Sequence, residues 1–191
     1  AAEFFAELSK RQGMAADILR LITLTACRSG QARFAKWYEF DLDDGIWHIK
    51  KGRKEAKLRK RDHHVALTSS ALKLLKSLPK DDEEDWVFPS TTNRPLSSTA
   101  ISNVMRTIHK NANCPFICPD QRRPAVPHGL RATVTTWWAR NGIEGDLLKF
   151  QLSHDLSDTV YRHYLREDLV ERRRAKLQLW DDYLTGVDHE Q

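Results

Sequence analysis

The 191-residue sequence lacks the motifs of several enzyme classes. It contains no HExxH zinc motif and no glycine-rich phosphate loop, which disfavours a zinc hydrolase, a metal-dependent nuclease and a nucleotide hydrolase. No apolar run approaches the roughly 18 residues that a membrane-spanning helix requires. The first residues, AAEFFAELSKRQG, do not have the layout of a signal peptide. These absences predict no membrane association.

Cysteine is scarce: the chain has three, Cys27, Cys114 and Cys118. An odd number of cysteines in a chain rich in lysine and arginine favours a reducing compartment. Cys114 and Cys118 could supply two zinc ligands, but no second pair completes a site, so two free thiols in a loop is the preferred interpretation. We therefore expect a cytoplasmic protein that needs no metal and no cofactor.

Positive charge is concentrated in parts of the chain. The formal net charge is +5 and the pI is about 9.2. Residues 50–61, KKGRKEAKLRKR, hold one acid among lysines and arginines, and residues 166–180 form a second cationic cluster. Acids collect in residues 41–45 and 80–86. A segregated basic surface suits a polyanion such as DNA, because each phosphate contact releases counterions. By themselves, these stretches are equally well interpreted as a solvated charged face.

The hydrophobic pattern predicts an α+β protein, mostly α, with a small β-hairpin or sheet. The strands are residues 45–50 and 63–68, and the basic run between them is the hairpin connection. Residues 85–90 are a short extended piece, and 114–127, with four prolines, are a loop. The six tryptophans are assigned to packing. We expect helices at residues 2–12, 14–28, within 29–42, 69–78, 96–112, 128–142, 144–154, 158–165 and 168–186.

Polar residues at the ends of these elements match the needs of attack on a phosphodiester. Arg28 and Arg131 offer forked donors that can hold non-bridging phosphate oxygens. His128, one helical turn from Arg131, and His154 can donate to those oxygens or move protons. A tyrosine can be the nucleophile and form a covalent intermediate. Ordinary interpretations remain, with Arg28 capping the end of its helix and His128 capping the start of another.

The order of the motifs TACRSG, KLRKR, PHGLRAT, LSHDLSD and YRHY resembles the tyrosine recombinase (phage integrase) family, from about residue 3 to residue 185. The chain is most similar to the branch carried by prophages and genomic islands, which ends its catalytic domain with a stretch like YLREDLVERRRAKLQLWDDYL. Each motif is weak alone, but their order and separations make a strong joint signal. The resemblance implies the helical catalytic domain of this family, with its small β-sheet.

The resemblance also implies the reaction and the role of each residue. Arg28 and Arg131 would hold the scissile phosphate, with assistance from His128 and His154. Tyr164 would attack phosphorus, giving a 3′-phosphotyrosyl link and a free 5′-hydroxyl. A second strand's 5′-hydroxyl would reverse the step, so that neither ATP nor metal is needed. The spacing from His154 favours Tyr164 as nucleophile; the other tyrosine of YRHY, Tyr161, is expected to pack beside the site.

The family's hairpin lysine would protonate the leaving 5′-oxygen. Lys57, in the KLR context midway between the strand ends, is the preferred residue, and Lys54 is the second choice. The remaining hairpin cations would make phosphate contacts, which position DNA without reading its sequence. The predicted DNA-contacting residues are Lys51, Arg53, Lys54, Arg59, Lys60 and Arg61.

The domain prediction is a catalytic domain at residues 1–185 and a tail at 186–191. The arm-binding and core-binding domains that precede this region in the family are not in the sequence, so weak DNA binding is expected. The implied partners are double-stranded attachment sites, a homotetramer in the synaptic complex with the isolated domain a monomer, and accessory DNA-bending or excisionase proteins. The implied purpose is integration or excision of a prophage or genomic island in the bacterial cytoplasm, at the nucleoid.

Three departures from the family pattern accompany these expectations. Gln31 stands where glutamate is usual, which would loosen the orientation of Arg28; Ala132 stands where many members have histidine; and LSH replaces LGH or LAH. Two alternatives therefore stay open. One is a DNA-binding relative that has lost catalysis, and the other is a type IB topoisomerase-like relaxing enzyme with the same chemistry and no strand exchange.

Overall fold

The computed structural model describes residues 1–50, 62–82, 85–112, 116–117, 122–143, 145–152 and 168–187. Its strands are β1 (Phe40–Asp41), β2 (Ile46–Ile49) and β3 (His63–Ala66), and a 3-10 turn covers Trp37–Glu39. Within these ranges the helices are α1 (Ala2–Ser9), α2 (Met14–Thr25), α3 (Ser29–Arg33), α4 (Ser69–Lys76), α5 (Ser98–Asn111), α6 (Pro127–Arg140), α7 (Gly145–Gln151) and α8 (Asp168–Thr185).

Helix α2 lies at the centre of the molecule. Eight of its twelve residues are buried, and it contacts α1, α3, α4, α5, α6 and α8. A helix that is apolar on most of its circumference is stable only when other elements cover it on several sides. The two charged residues of α2, Asp17 and Arg20, are half-buried and form an ion pair one turn apart. The sequence prediction of a buried second helix is confirmed.

The sheet is antiparallel in the order β1-β2-β3. Trp47 and Ile49 of β2 and Val65 of β3 are buried on one face, as the two-residue period of a strand requires. His63 is buried and His64 is exposed, so the side chains of these two histidines lie on opposite faces of the sheet. The predicted strands are confirmed, and the connection at residues 51–61 lies outside the described residues.

The prediction of a helix within residues 29–42 is only partly correct. Helix α3 ends at Arg33, and Phe40–Asp41 form the edge strand β1 instead. The Asp41 carboxylate accepts hydrogen bonds from the backbone N–H groups of Asp43, at 3.1 Å, and Asp44, at 2.9 Å. These local bonds offer the backbone a turn in place of a helix. Gly45, at φ 63°, completes the turn into β2.

Helix α8 contacts both the sheet and the helical core, and it joins the two. Its Trp180 is fully buried and donates its Nε1–H to the carbonyl of Thr23 on α2 at 2.8 Å. Its Arg174 donates to the carbonyls of Gly45 and Leu67 at 2.7 and 2.8 Å, so it holds the start of β2 and the end of β3, which lie side by side. These contacts fix the sheet and the helical core in one arrangement.

Helix starts follow their capping residues. The hydroxyls of Thr68 and Ser97 accept hydrogen bonds from the first turns of α4 and α5, and Pro127 opens α6, where its missing N–H costs nothing. The predicted helix at residues 158–165 lies outside the described residues. Among the residues that the structure describes, no helix combines the length and the apolar composition needed to cross a membrane.

Candidate active site

Arg28 lies at the turn between α2 and α3. Helix α2 ends at Thr25, and Ala26 adopts a left-handed conformation at φ 55° and ψ 22°, which redirects the chain. Arg28 is half-buried and extended, and it is the N-terminal capping position of α3. The interpretation of Arg28 as the cap that ends the preceding helix is therefore wrong, because that helix stops three residues earlier.

Gln31 holds the backbone of Arg28. It is 1% exposed, and its Oε1 accepts the Arg28 N–H at 2.7 Å, while the Gln31 N–H donates to the Arg28 carbonyl at 2.8 Å. Its Nε2 has no hydrogen-bond partner among the described residues. An amide oxygen thus makes a backbone contact that a carboxylate could also make. The loosening of Arg28 predicted from this substitution does not extend to the Arg28 backbone, which Gln31 holds at two points.

Arg131 is a buried arginine between two helix ends. It lies on α6, is 6% exposed, and donates from Nη1 to the carbonyl of Ala26 at 2.6 Å and from Nη2 to the carbonyl of Leu152. Ala26 follows the end of α2, and Leu152 follows the end of α7. Carbonyls at helix C-termini lack partners within the helix and carry partial negative charge, so a cation stabilises both ends. Arg131 thereby brings the turn to Arg28 beside the end of α7.

His128 stands on the solvent side of the same helix. It is exposed, in the first turn of α6, one turn before Arg131. The capping position of α6 is Val126, so the interpretation of His128 as the cap is wrong. The structure therefore places His128 and the guanidinium of Arg131 on one helix, with the imidazole accessible and the guanidinium buried.

A second buried network, formed by Gln151 and Arg173, was missed from the sequence. Gln151 donates its Nε2–H to the Thr25 carbonyl at 2.6 Å, and Arg173 donates from Nη1 to the His64 carbonyl at 2.8 Å. Both side chains are buried. The run ERRRAK contains three arginines, and only the packing of α8 decides which of them points inward.

At the sheet, His48 and His64 face each other on β2 and β3. Their Nδ1 atoms are 2.8 Å apart, so one ring must be unprotonated to accept the hydrogen bond. Partial burial of its ring, on the otherwise exposed face of the sheet, lowers the pKa of His64, as do the charges of His48, Arg173 and Lys50, and Asp62 partly opposes this. The neutral form of His64 is therefore favoured at the base of the hairpin.

Cys27 carries no sign of reactivity. It is fully buried next to Arg28, and burial raises the pKa of its thiol to about 11. A thiol with that pKa is protonated at neutral pH and is a poor nucleophile or metal ligand. Cys27 is therefore a free, packed cysteine. Cys114 and Cys118 lie outside the described residues.

The remaining predicted site residues lie outside the described residues. These are His154, Tyr161 and Tyr164 and the hairpin residues Lys51, Arg53, Lys54, Lys57, Arg59, Lys60 and Arg61. Of the predicted catalytic set, the structure describes Arg28, His128 and Arg131. Among the described residues, no three His, Cys, Asp or Glu side chains form a group that could bind a metal ion.

Comparisons with known proteins agree on one family. The phage integrase family matches residues 4–170 of the chain. The chain is 30% identical over 168 residues to prophage integrase IntA of Escherichia coli K12, covering 86% of this chain and 37% of IntA. It is 28% identical over 198 residues to the integrase of Enterobacteria phage P4, covering 95% of this chain and 43% of that protein. The chain thus spans about two fifths of the length of these relatives.

A solved structure agrees on the fold. The chain superimposes on the integrase from mycobacterium phage Brujita with a TM-score of 0.68 at 12% sequence identity. The match covers 100% of this chain and 62% of that one. At this level of identity the likeness concerns the fold. The predicted α+β fold of a tyrosine recombinase catalytic domain is confirmed.

Proposed function

The chain belongs to the phage integrase family, and we propose that it is the catalytic part of a site-specific tyrosine recombinase that cuts and rejoins DNA. The observation that carries this proposal is the position of Arg131. Its guanidinium ties the turn that leads into Arg28 to the end of α7, which leads into His154. Two turns that are more than a hundred positions apart in the sequence, at Ala26 and Leu152, are thereby held by one guanidinium, which supports the proposal that Arg28 and His154 act together.

The proposed reaction uses a tyrosine and no cofactor. The Tyr164 hydroxyl attacks the scissile phosphorus, a new P–O bond to tyrosine forms, and the bond to the 5′-oxygen breaks. Arg28 and Arg131 offset the charge that grows on the non-bridging oxygens, with His128 and His154 assisting. Lys57, or Lys54 as the second choice, gives a proton to the leaving oxygen. Attack by the 5′-hydroxyl of another strand on the phosphotyrosine regenerates the enzyme.

We propose that the chain contacts DNA because of its positive charge and its membership of the phage integrase family. The chain carries a net charge of +5, and the run between β2 and β3 is almost wholly basic. Lys51, Arg53, Arg59, Lys60 and Arg61, with whichever of Lys54 and Lys57 is not the acid, would contact phosphates. In this proposal residues 1–185 form the catalytic domain and residues 186–191 a tail.

The biological setting is proposed from the relatives. IntA is described as a prophage integrase and the P4 protein as a phage integrase. For this chain we propose integration or excision of a prophage or genomic island at double-stranded attachment sites in the bacterial cytoplasm. A homotetramer would carry out strand exchange, with accessory DNA-bending or excisionase proteins assisting.

A nicked suicide substrate tests the chemistry. Cleavage next to the nick releases a short strand and traps the enzyme as a covalent adduct. We expect the adduct with the wild-type chain and with Tyr161→Phe, and its loss in Tyr164→Phe. We expect EDTA to leave the yield unchanged, because in the proposed reaction arginine and histidine side chains, and no metal ion, offset the charge on the phosphate. No adduct from wild-type protein would favour the catalytically impaired DNA-binding relative. Adduct formation with DNA relaxation and no exchanged strands would favour the topoisomerase-like enzyme.

A further inference from the structure

Arg173 is a cation in the interior of the molecule. It lies on α8 and is 5% exposed. A buried guanidinium is tolerated only where acceptors surround it, since its transfer out of water is costly. Arg173 donates from Nε to the Leu169 carbonyl at 3.1 Å, and from Nη1 to the His64 carbonyl at 2.8 Å and to Oε1 of Gln151 at 3.4 Å. Three different segments therefore meet at one side chain.

Gln151 carries the connection to a fourth segment. Its side chain is fully buried at the end of α7. While its Oε1 faces Arg173, its Nε2–H donates to the Thr25 carbonyl at 2.6 Å, at the end of α2. Both polar ends of the amide are thus used. Arg173 and Gln151 together join the first turn of α8, the base of the hairpin at β3, the end of α7 and the end of α2.

These four segments are the ones that lead into or out of the proposed catalytic residues. Thr25 comes three residues before Arg28, and Gln151 comes three residues before His154. Leu169 follows Tyr164 by five residues, and β3 follows the hairpin that contains Lys57. One buried hydrogen-bond network therefore fixes the positions of these four segments relative to one another. The proposed reaction requires that the residues attached to them are correctly placed.

We propose that Arg173, acting with Gln151, is a positioning residue for the cleavage step. This inference rests on the proposed function. Arg173 does not touch DNA in this proposal; it holds the backbone from which the reacting groups extend. Misplacement of reacting groups by about 1 Å can slow an enzyme about 100-fold, so a lost link among these segments reduces the rate of phosphotyrosine formation at bound DNA.

The adjacent residue supplies a matched control. Arg174 is on the same helix and likewise donates to backbone carbonyls, those of Asp44, Gly45 and Leu67. Those carbonyls belong to the turn before β2 and to the end of β3, away from the hairpin connection. Removing Arg174 therefore removes similar hydrogen bonds and leaves the four segment ends joined.

The experiment measures single-turnover adduct formation on the nicked suicide substrate at saturating DNA. The variants are Arg173→Met, Arg173→Lys and Arg174→Met, in the chain and in any longer protein that contains it. Rate constant, final amplitude and DNA affinity are recorded for each. A purely structural role lowers the folded fraction, which reduces the amplitude and leaves the rate constant unchanged. A positioning role reduces the rate constant of the protein that is folded.

We expect Arg173→Met to lower the rate constant about 100-fold with DNA affinity within about threefold. Arg173→Lys keeps the charge and some of the hydrogen-bond donors, so it is expected to recover part of the rate constant. If Arg173→Met does not fold, the rate constant of Arg173→Lys is the one that tests the positioning role. Arg174→Met is expected to keep the wild-type rate constant. An unchanged rate constant in both Arg173 variants, or an equal loss in Arg174→Met, would overturn the inference. Failure of the proposed function itself is distinct, because wild-type protein would then form no adduct.

Discussion

The two ends of α2 are held by the same kind of interaction, with different consequences. From the middle of α2, Arg20 reaches back past the first end of the helix and donates to the carbonyls of Leu8, Ser9 and Arg11. At the second end, Arg131 donates to the carbonyls of Ala26 and Leu152. Both arginines donate to carbonyls at or just beyond the C-terminal ends of helices, where partial negative charge favours a cation.

The difference lies in what each arginine connects. Arg20 joins α2 to the segment immediately before it, at separations of 9 to 12 residues. Arg131 joins α6 to Ala26 and Leu152, which are 105 and 21 residues away in the sequence. Each of them lies two residues before a proposed catalytic residue, Arg28 or His154. Equal chemistry can therefore serve local stability at one end and the geometry of a site at the other. Three substitutions test this contrast.

The largest effect is expected for Arg131→Met. Two buried carbonyls lose their donor, at a cost of about 1–3 kcal/mol for each group. The proposed phosphate contact is lost as well, so we expect adduct formation to fall about 1,000-fold. Urea unfolding and the suicide-substrate assay measure the two effects. Arg140→Met, at the exposed end of the same helix, is the control and should behave like wild type. If Arg131→Met still cleaved DNA at the wild-type rate, the two ends of α2 would not differ in their importance for the reaction.

A smaller effect, confined to stability, is expected for Arg20→Met. The carbonyls that Arg20 contacts are partly accessible to water, so a loss of about 1–2 kcal/mol in the free energy of unfolding is expected. The rate constant of adduct formation should remain at the wild-type value. Lys10→Met, whose ion pair with Glu7 is solvent-exposed, controls for charge removal and should change stability by less than about 0.5 kcal/mol. A slowed cleavage step in Arg20→Met would show that both ends of α2 serve the site.

The smallest effect is a pH dependence at the first end of α2. Burial raises the pKa of Asp17 above 3.8, against the opposing effect of Arg20. The folded protein therefore holds this proton more tightly than the unfolded chain. The stability that Asp17 contributes is fully present below pH 3.8 and is lost as the pH rises through the folded-state pKa.

Asp17→Asn removes this titration. We expect the variant to gain stability relative to wild type as the pH rises above 3.8, in urea unfolding at a series of pH values. Glu171→Gln is a control of opposite sign, because the hydrogen bond that Glu171 accepts from Arg174 lowers the pKa of the Glu171 carboxyl. That carboxylate stabilises the fold above its unfolded-state pKa, and the contribution is lost as the pH falls through the folded-state value. Parallel pH profiles for Asp17→Asn and wild type would contradict the assignment.

Much of the fold follows from local sequence signals. Helix α2 and strands β2 and β3 were predicted because apolar residues recur with the period of each element. Strand β1 was missed because it is two residues long, and its formation depends on pairing with β2. Such a strand leaves no period to detect.

For the candidate site, the sequence predicted reacting residues but not the residues that hold them in place. Arg28, His128 and Arg131 were identified from chemistry, order and family resemblance. The left-handed Ala26 that turns the chain to Arg28 was not, since alanine carries no preference for that conformation. Nor were Gln151 and Arg173, whose partners are backbone carbonyls of distant residues. A backbone carbonyl is present at every position, so sequence contains no mark of which one a side chain will reach.

The hydrogen bond between the Trp180 side chain and the Thr23 carbonyl has a consequence for folding during synthesis. These residues are 157 positions apart, and α8 also packs against α1, which precedes α2 in the chain. Domains fold as their chains leave the ribosome at about 5–20 residues per second. The part of the surface of α2 that α8 covers therefore stays uncovered until α8 has been made. During that interval of about ten seconds or more, the nascent chain is a natural client for chaperones.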